Sequence, residues 1–458
     1  MARPGGDRLM VEGPSGGNGR GAIGEILAVG TRAPGSGRIE LAERAAPGEP
    51  TLRWRSRART IEQIEAELTR IWAEPNLETM IDGRPGRHVA ARTSVMNLVV
   101  IARRPEVGER SAATIQQLTG RHPSRTIVVS TADPDGPSWL DAQVEAHCVL
   151  PREEAPEICA ELIYLTAGGE SGRHLAAIVT PLLIHDLPVT IWWPGEPPFG
   201  TEQANDILST ADRLVVDGST WSGDGLSRLR QLAALLDTTP LAISDFALVR
   251  QSRWREAIAS IFDLPEYLPY LRSIRRIAVA YATHDETGGP GSTNLVKPVY
   301  HVAWMASQLG MRVTRPLEPA AAAPAVRSGR GGATPAKPIM SRGLTGSLAE
   351  GRSEVGVIVR PVLSELPSGT TLRVELLANR RGSELRADVT AEQDSVHVRV
   401  WLDGIETLAR HFQAARRSDV DLLAEAIEAG GRDPISVGSI RTAAALVGAD
   451  SSTNGARP

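Results

Sequence analysis

The sequence has little that would indicate a redox, metal or membrane protein. Its 458 residues include only two cysteines, which excludes a disulfide-rich scaffold and a zinc module built on four cysteines. No apolar run approaches the roughly 20 residues that a transmembrane helix needs. The N-terminal segment also lacks the continuous apolar core of a secretory signal. We therefore expect a soluble, cytoplasmic protein.

The sequence also lacks a large excess of charge of either sign. Fifty lysines and arginines are balanced by 54 aspartates and glutamates, which gives a net charge of −4. A nucleic-acid binder that relies on overall charge is strongly basic, so we expect neither nucleic acid nor a membrane as a partner. The sequence has no P-loop and no H-E-x-x-H motif, and its nine histidines are dispersed. We expect no cofactor and no metal.

Strand and helix patterns alternate over residues 56–315. Short β-branched runs between amphipathic stretches are typical of an α/β fold, with a mostly parallel sheet and flanking helices. The predicted strands are 98–102, 125–130, 142–150, 189–193, 213–216 and 276–281. The predicted helices are 61–72, 157–166, 173–185, 201–211, 226–236, 254–262 and 295–310.

The remaining segments differ in composition. Residues 1–55 are rich in Gly and Pro and predict a disordered tail, and residues 316–352 form a Pro/Ala/Gly linker. Within residues 353–435, valines and leucines alternate with period two in four runs. The alternation predicts a separate, smaller C-terminal β-rich (α+β) domain with an antiparallel sheet, covered on one face by a helix near 419–429. A second tail follows over 436–458.

Two glycine motifs fall in the N-terminal tail. Residues 19–24 match G-x-G-x-x-G and residues 13–17 match G-x-S-x-G, but neither follows a buried strand, so both are interpreted as chance matches. Cys148 and Cys159 could approach each other in space. We interpret them instead as separate buried small hydrophobic residues.

One glycine-rich segment precedes a helical pattern. Backbone N–H groups at a helix start can hold an anion, and the alternative is a loop in which Ser171 acts as a helix cap. The candidate anion-site residues are Gly169, Ser171, Gly172 and Arg173.

Two further segments have the composition of binding surfaces. The cationic cluster at 121–125 could bind carboxylates or phosphate on a partner, or could simply stabilise a helix C-terminus. Neighbouring tryptophans on a strand face opposite ways, so one can lie in the core and one at the surface. Trp and Arg are enriched at interface hot spots, although core packing is an equally good explanation. The partner-binding candidates are Arg121, His122, Arg125, Trp192, Trp193, Trp254 and Arg255.

Three stretches together resemble the glucose-6-phosphate dehydrogenase assembly protein, the OpcA family. They are TGRHPSRTIVVS (119–130), TPLLIHDLPVTIWWPGEPP (180–198) and RWREAIASIFD (253–263). The resemblance implies a non-catalytic protein that binds glucose-6-phosphate dehydrogenase. It implies assembly of the active oligomer and allosteric activation in the oxidative pentose phosphate pathway, a source of NADPH. In cyanobacterial members of this family, cysteines couple the activation to the redox state. The two cysteines available for such a role in this sequence are Cys148 and Cys159.

Two alternatives stay open from the residues. One is a sugar-phosphate or nucleotide-sugar enzyme that uses the 168–173 loop as an anion site and His174 or His185 as acid/base. The other is a purely structural scaffold, which binds the dehydrogenase without changing its kinetics.

Overall fold

The computed structural model describes most of the chain. The described ranges are 48–73, 79–81, 84–86, 91–133, 135–152, 158–284, 293–320, 343–392 and 394–448. Both glycine motifs of the predicted tail lie outside these residues, as does the middle of the predicted linker, residues 321–342.

Strands and helices are numbered in chain order. The strands are β1 (Pro50–Ala58), β2 (Thr79–Ile81), β3 (Arg84–Gly86), β4 (Ala91–Arg92), β5 (Met96–Ala102), β6 (Ser124–Ala132), β7 (Trp139–Val149), β8 (Ile158–Gly168), β9 (Val189–Trp193), β10 (Arg213–Val216), β11 (Ala242–Asp245), β12 (Ile274–Thr283), β13 (Arg312–Pro319), β14 (Leu344–Glu350), β15 (Ser353–Leu363), β16 (Thr371–Arg380), β17 (Ser383–Glu392), β18 (Ser395–Leu402) and β19 (Ile405–Gln413). The helices are α1 (Ile61–Ala73), α2 (Pro105–Gln116), α3 (Gly169–Arg173), α4 (Leu175–Val179), α5 (Glu202–Leu208), α6 (Leu226–Thr238), α7 (Phe246–Val249), α8 (Ser252–Phe262), α9 (Val296–Gln308), α10 (Asp419–Glu428) and α11 (Pro434–Val447).

The first sheet confirms the predicted α/β class. Its strand order is β1-β7-β8-β6-β5-β9-β10-β11, with β4 added beside β8. The pairs from β8 through β6, β5, β9 and β10 to β11 are parallel, while β7 is antiparallel to both β1 and β8. Strands β5 and β9 are buried along their whole length, because helices cover both faces of the sheet.

Strand β8 corrects the helix predicted over 157–166. Its side chains are almost all buried on both faces, so the sequence carries no alternation that would separate a strand from a buried helix. The antiparallel register places Cys148 opposite Cys159, and the two sulfurs form a disulfide. The two cysteines are buried, as expected, but they are not separate.

The second sheet confirms the period-two pattern of the C-terminal region. Its order is β13-β14-β15-β12-β16-β17-β18-β19. The alternating valines and leucines of β15 to β18 face the core, while the other face carries charge pairs such as Arg276–Glu375 at 2.7 Å and Arg373–Asp388 at 2.5 Å. One face is packed and the other is solvated, as is common in antiparallel sheets.

Five further elements differ from prediction. Strand β12, expected as the last strand of the first sheet, lies between β15 and β16 of the second. Strands β13 and β14 occupy the described ends of the predicted linker, and β1 occupies residues 50–55 of the predicted tail. Helix α11 occupies much of the predicted C-terminal tail, where the Asp433 carboxylate accepts hydrogen bonds from the backbone N–H groups of Ile435 and Ser436.

Helix α9 lies between the two sheets and is buried nearly all round. It packs against β12, β15 and β16 on one side and against α7 and the turn at 218–220 on the other. A single continuous hydrophobic core contains buried residues of both sheets. None of the helices in the described ranges combines the length and apolarity that a membrane span needs.

Candidate functional site

Helix α10 is where several of the predicted site residues meet. The sequence predicted that it would cover the second sheet, but its apolar side packs against α2, α7 and the first sheet. Leu422 and Leu423 are fully buried there, in a cluster that contains Trp192 and Phe246. We call this contact the helix seat. An amphipathic helix must bury its apolar face, but the sequence pattern does not identify the surface against which that face packs.

Charged groups hold both ends of α10. At its C-terminal end, Glu428 Oε1 lies 2.5 Å from Arg121 Nη2 and 2.9 Å from His122 Nε2. At its N-terminal end, Arg250 Nη2 lies 3.1 Å from Asp419 Oδ1. The predicted cationic cluster therefore does meet a carboxylate, and in this structure that carboxylate belongs to the same chain.

Arg125 and Trp193 are buried inside the first sheet. Arg125 Nε donates to Glu161 Oε2 at 2.5 Å, and its Nη1 donates to the Leu182 carbonyl at 2.9 Å. Trp193 packs in the continuous core. The two adjacent indoles do face opposite ways, but the expectation that one reaches the surface is wrong, because helices cover both faces of the sheet.

Trp192 lines a cavity of about 360 Å³ at the carboxyl ends of β9 and β10. We call it the carboxyl-edge cavity. Its lining holds charges of both signs, from Arg104, Arg110, Asp217 and Asp419. Within the described part of the chain, the Trp192 indole N–H has no hydrogen-bond partner. Clefts at the carboxyl ends of parallel strands are common ligand sites.

Behind this cavity lies a buried carboxylate, Asp245. It accepts hydrogen bonds from the backbone N–H groups of Gly218 and Ala247 and from the Tyr300 hydroxyl, each at 2.8 Å. Burial, together with repulsion from Asp217, raises the pKa of Asp245 to about 7. Asp217 itself is held by Arg250 Nη1 at 2.7 Å.

The candidate anion site at 169–173 already contains carboxylates. Arg173 pairs with Asp135 at 2.8 Å and with Glu170 at 3.5 Å, and His174 Nε2 lies 2.8 Å from Glu170 Oε1. A Cβ on Gly172 would lie 2.9 Å from the Ala167 carbonyl oxygen, so the loop is packed against β8. Ser171 and Gly169 lie on the same five-residue helix.

A second cavity, of about 330 Å³, opens where α8 and α9 meet the second sheet. We call it the basic cavity. Its lining residues are far apart in the sequence, between residues 250 and 417, and include the segment 414–417, which leads from β19 to α10. The cationic members of the lining are Arg250, Arg253, Lys297, Arg416 and Arg417.

The predicted residues Trp254 and Arg255 lie beside this cavity. Trp254 is half-buried, lines the cavity and places its ring 5.1 Å from the ring of His301. Arg255 Nη1 donates to the Leu248 carbonyl at 2.6 Å, and burial lowers the pKa of Arg255. Trp254 is therefore placed to contact a ligand, whereas the hydrogen bond of Arg255 connects α8 to α7.

Several buried polar atoms in the lining have no partner in the described part of the chain. They are both ring nitrogens of His301, Oε1 of Gln251 and Oγ1 of Thr371. His301 is 1% exposed, and burial, together with Arg255 and Lys297, lowers the pKa of His301 to about 3. Buried polar groups in proteins are nearly always hydrogen-bonded, so this concentration is unusual.

Sequence reasoning missed Lys297, His301 and Arg416. The available signal was the i, i+4 spacing of Lys297 and His301 inside an otherwise apolar helix, which places both on one helix face. Among the described residues, no group of three or more His, Cys, Asp or Glu side chains is placed to hold a metal ion.

Two models of one family match the sequence. The model described as the glucose-6-phosphate dehydrogenase subunit N-terminal domain matches residues 115–234, and the model for the C-terminal domain matches residues 241–436. The OxPP cycle protein OpcA of Synechocystis sp. is 29% identical over 194 residues, which are 42% of this chain and 38% of that protein. The OpcA of Synechococcus elongatus is 25% identical over 203 residues, 44% of this chain and 43% of that protein. The chain thus matches about two fifths of the length of these curated relatives.

Solved structures give only a distant likeness. The 3-ketoreductase KijD10 from Actinomadura kijaniata, as a K102A mutant, has a TM-score of 0.40 and 10% identity, covering 77% of this chain and 95% of that one. A likeness at this level carries no functional argument. The two family models, in contrast, together match more than half of the sequence, and the chain belongs to the OpcA family of glucose-6-phosphate dehydrogenase subunits.

Proposed function

We propose that this chain is a non-catalytic protein that binds glucose-6-phosphate dehydrogenase, promotes its assembly and activates it allosterically. The observation that carries the proposal is the match of two consecutive family models, both named for a glucose-6-phosphate dehydrogenase subunit, over residues 115–234 and 241–436. The family is named for the enzyme with which the subunit associates. The proposal adds that the chain also activates this enzyme.

The physical mechanism is a shift in the populations of the dehydrogenase. The chain binds the active arrangement of the enzyme more tightly than the inactive one, and the shift cannot exceed that difference in affinity. Allosteric couplings of roughly 1–3 kcal/mol correspond to about 5- to 150-fold changes in affinity. The activation therefore needs only a modest difference between the two complexes.

Arg121 is the strongest of the predicted contact residues. Its side chain is 60% exposed while its guanidinium pairs with Glu428, so a partner's carboxylate could reach it. Arg125, Trp192 and Trp193 are buried and could affect a partner only through the fold. Trp193→Ala is therefore an unsuitable test of the interface, because it would first disturb the core.

The test combines size-exclusion chromatography and light scattering on purified chain and the dehydrogenase from the same source. We expect a complex, a larger enzyme oligomer and about tenfold weaker binding by Arg121→Met. The matched control is Arg441→Met, since Arg441 is a similarly exposed arginine paired with Asp237 at 2.8 Å. Independent elution of the two wild-type proteins at micromolar concentration contradicts the proposal.

The two alternatives give different results in the same preparation. A scaffold would co-elute with the dehydrogenase and leave its steady-state kinetics unchanged. An enzyme would convert sugar phosphates without the dehydrogenase. The 168–173 loop gives little support to the enzyme alternative, because Glu170 and Asp135 already pair with Arg173, the cation that an anion would need.

A further inference from the structure

We propose that the basic cavity binds a small phosphorylated metabolite of the sugar-phosphate class. The inference does not depend on the dehydrogenase partner, since it concerns the chain alone. It rests on two independent features of the same cavity: an excess of cationic side chains, and unpartnered buried polar atoms on its wall.

The lining carries five cationic side chains and no carboxylate. Three of them are engaged elsewhere: Arg250 with Asp217 and Asp419, Arg253 with Glu256, and Arg417 with Glu425. The side chains of Lys297 and Arg416 have no hydrogen bond or ion pair within the described residues. Burial, with the charges of Arg250 and Arg416, lowers the pKa of Lys297. A phosphate would relieve this repulsion, because it supplies negative charge and several acceptor oxygens.

The unpartnered atoms suit the rest of such a ligand. The low pKa of His301 leaves its ring neutral near pH 7, with one nitrogen that donates and one that accepts. Gln251 Oε1 needs a donor, and the Thr371 hydroxyl can serve in either role. Sugar hydroxyls both donate and accept, and a sugar carries several of them, whereas inorganic phosphate has at most two O–H groups near pH 7. The half-buried Trp254 ring offers a flat face for the C–H groups of a sugar.

The size of the cavity limits the ligand. A volume of about 330 Å³ lies at the lower end of the range for small-molecule sites, about 300–1,000 Å³. It fits a monosaccharide phosphate better than a dinucleotide. Water alone could fill the space and satisfy the polar atoms, but water would leave the excess positive charge uncompensated.

Binding can be measured by isothermal titration calorimetry on the full chain. The probes are glucose 6-phosphate, ribose 5-phosphate, inorganic phosphate, citrate and unphosphorylated glucose. We expect a sugar phosphate to bind at least tenfold more tightly than inorganic phosphate or citrate, and glucose not to bind. Lys297→Met and Arg416→Met should each weaken binding of the sugar phosphate at least tenfold.

Further variants distinguish recognition of the sugar from recognition of the phosphate. Thr371→Val and His301→Phe should weaken the sugar phosphate several-fold while leaving inorganic phosphate unchanged. Thr371→Val keeps the side-chain shape, so it decides the result if His301→Phe fails to fold. Arg399→Met is the control, because Arg399 is exposed on β18 and absent from the lining.

Three results would overturn the proposal. They are the absence of binding by every phosphorylated probe at about 10 mM or below, equal binding of citrate and sugar phosphates, and unchanged binding by the Lys297→Met/Arg416→Met double variant. Because all titrations omit the dehydrogenase, failure here is separate from failure of the proposed partner.

Discussion

The carboxyl-edge cavity and the basic cavity have nearly the same volume, about 360 and 330 Å³, but their charged side chains are balanced in different ways. The lining of the carboxyl-edge cavity contains two arginines and two aspartates. The lining of the basic cavity contains five cations and no carboxylate. Carboxylates outside that lining pair with Arg250, Arg253 and Arg417, which leaves two cations, Lys297 and Arg416, without an ion pair within the described residues. Because the two volumes are nearly equal, the proposed ligand of the basic cavity is argued from its unpaired cations and unpartnered polar atoms, not from its size.

A single element links both cavities. Asp419 at the start of α10 lines the carboxyl-edge cavity, and the segment 414–417 just before it lines the basic cavity. Arg250 lines the basic cavity, yet its guanidinium pairs with Asp217 and Asp419 of the other. The position of α10 therefore affects both cavities, and a ligand in either one can influence the helix seat.

Removing the apolar side chain that anchors α10 should have the largest effect on both cavities. Leu423→Ala removes a fully buried side chain and should cost about 2–5 kcal/mol of unfolding free energy, measured by urea denaturation. Leu363→Ala is the control, because Leu363 is 60% exposed and should change stability by less than about 0.5 kcal/mol. Equal effects of the two variants would show that the helix seat is not part of the folded structure in solution.

The buried groups behind the two cavities should respond to pH in opposite directions. The pKa of Asp245 is raised to about 7 from 3.8, so the native state binds more protons than the unfolded state between these values. The stability that Asp245 contributes is present below about pH 4 and is lost as the pH rises through about 7. The pKa of His301 is lowered to about 3 from 6.5. Its contribution is present above about pH 6.5 and is lost as the pH falls towards about 3.

Urea denaturation between about pH 4 and 8 can separate these contributions. The wild-type free energy of unfolding should fall by on the order of a few kcal/mol as the pH rises towards about 8, and Asp245→Asn should abolish this fall. It should also fall by a similar amount as the pH drops towards about 4, and His301→Phe should abolish that fall. Asparagine keeps one acceptor oxygen for the N–H groups of Gly218 and Ala247. If both variants keep the wild-type pH profile, the contrast between the two environments is wrong.

Arg250→Met tests the charge link between the cavities. The substitution leaves Asp217, which is 6% exposed, without its cationic partner, and we expect a loss of about 1–3 kcal/mol at about pH 7. The exposed Arg253→Met serves as the control. A loss no larger than that of Arg253→Met would indicate that the pairing of Arg250 with Asp217 does not stabilise this region.

Arg121→Met should have the smallest effect on stability. The Arg121–Glu428 pair is exposed on both sides, and such pairs contribute about 0.2–1 kcal/mol. We expect a change in this range by thermal denaturation, reduced further at high salt. A loss above about 2 kcal/mol would mean that the pair is a main support of the helix seat.

The sequence predicted the parts of the fold in which local pattern and burial agree. The strand at 189–193, the amphipathic helix α8 and the alternating strands β15 to β18 were all recognised. Strand β8 was missed because its two buried faces remove the alternation. The place of β12 was missed because strand pairing is a long-range choice, which local periodicity does not record.

The candidate sites were only partly predictable for the same reason. The cluster Arg121–Arg125 was recognised as chemically special, but the sequence could not show that Arg121 meets Glu428 and Arg125 meets Glu161, each distant along the chain. The basic cavity collects residues from 250 to 417, so no single segment displays it. Among its lining residues, only Trp254 and the i, i+4 pair Lys297 and His301 could be recognised from local sequence pattern.

The central claim, activation of a dehydrogenase by binding, is tested most directly by a substrate saturation curve. The rate of purified glucose-6-phosphate dehydrogenase should be measured against glucose 6-phosphate, with and without a saturating amount of this chain. The account predicts a KM lower by about 5- to 150-fold or a higher kcat, and no turnover by the chain alone. Superimposable curves, or turnover without the dehydrogenase, would contradict it.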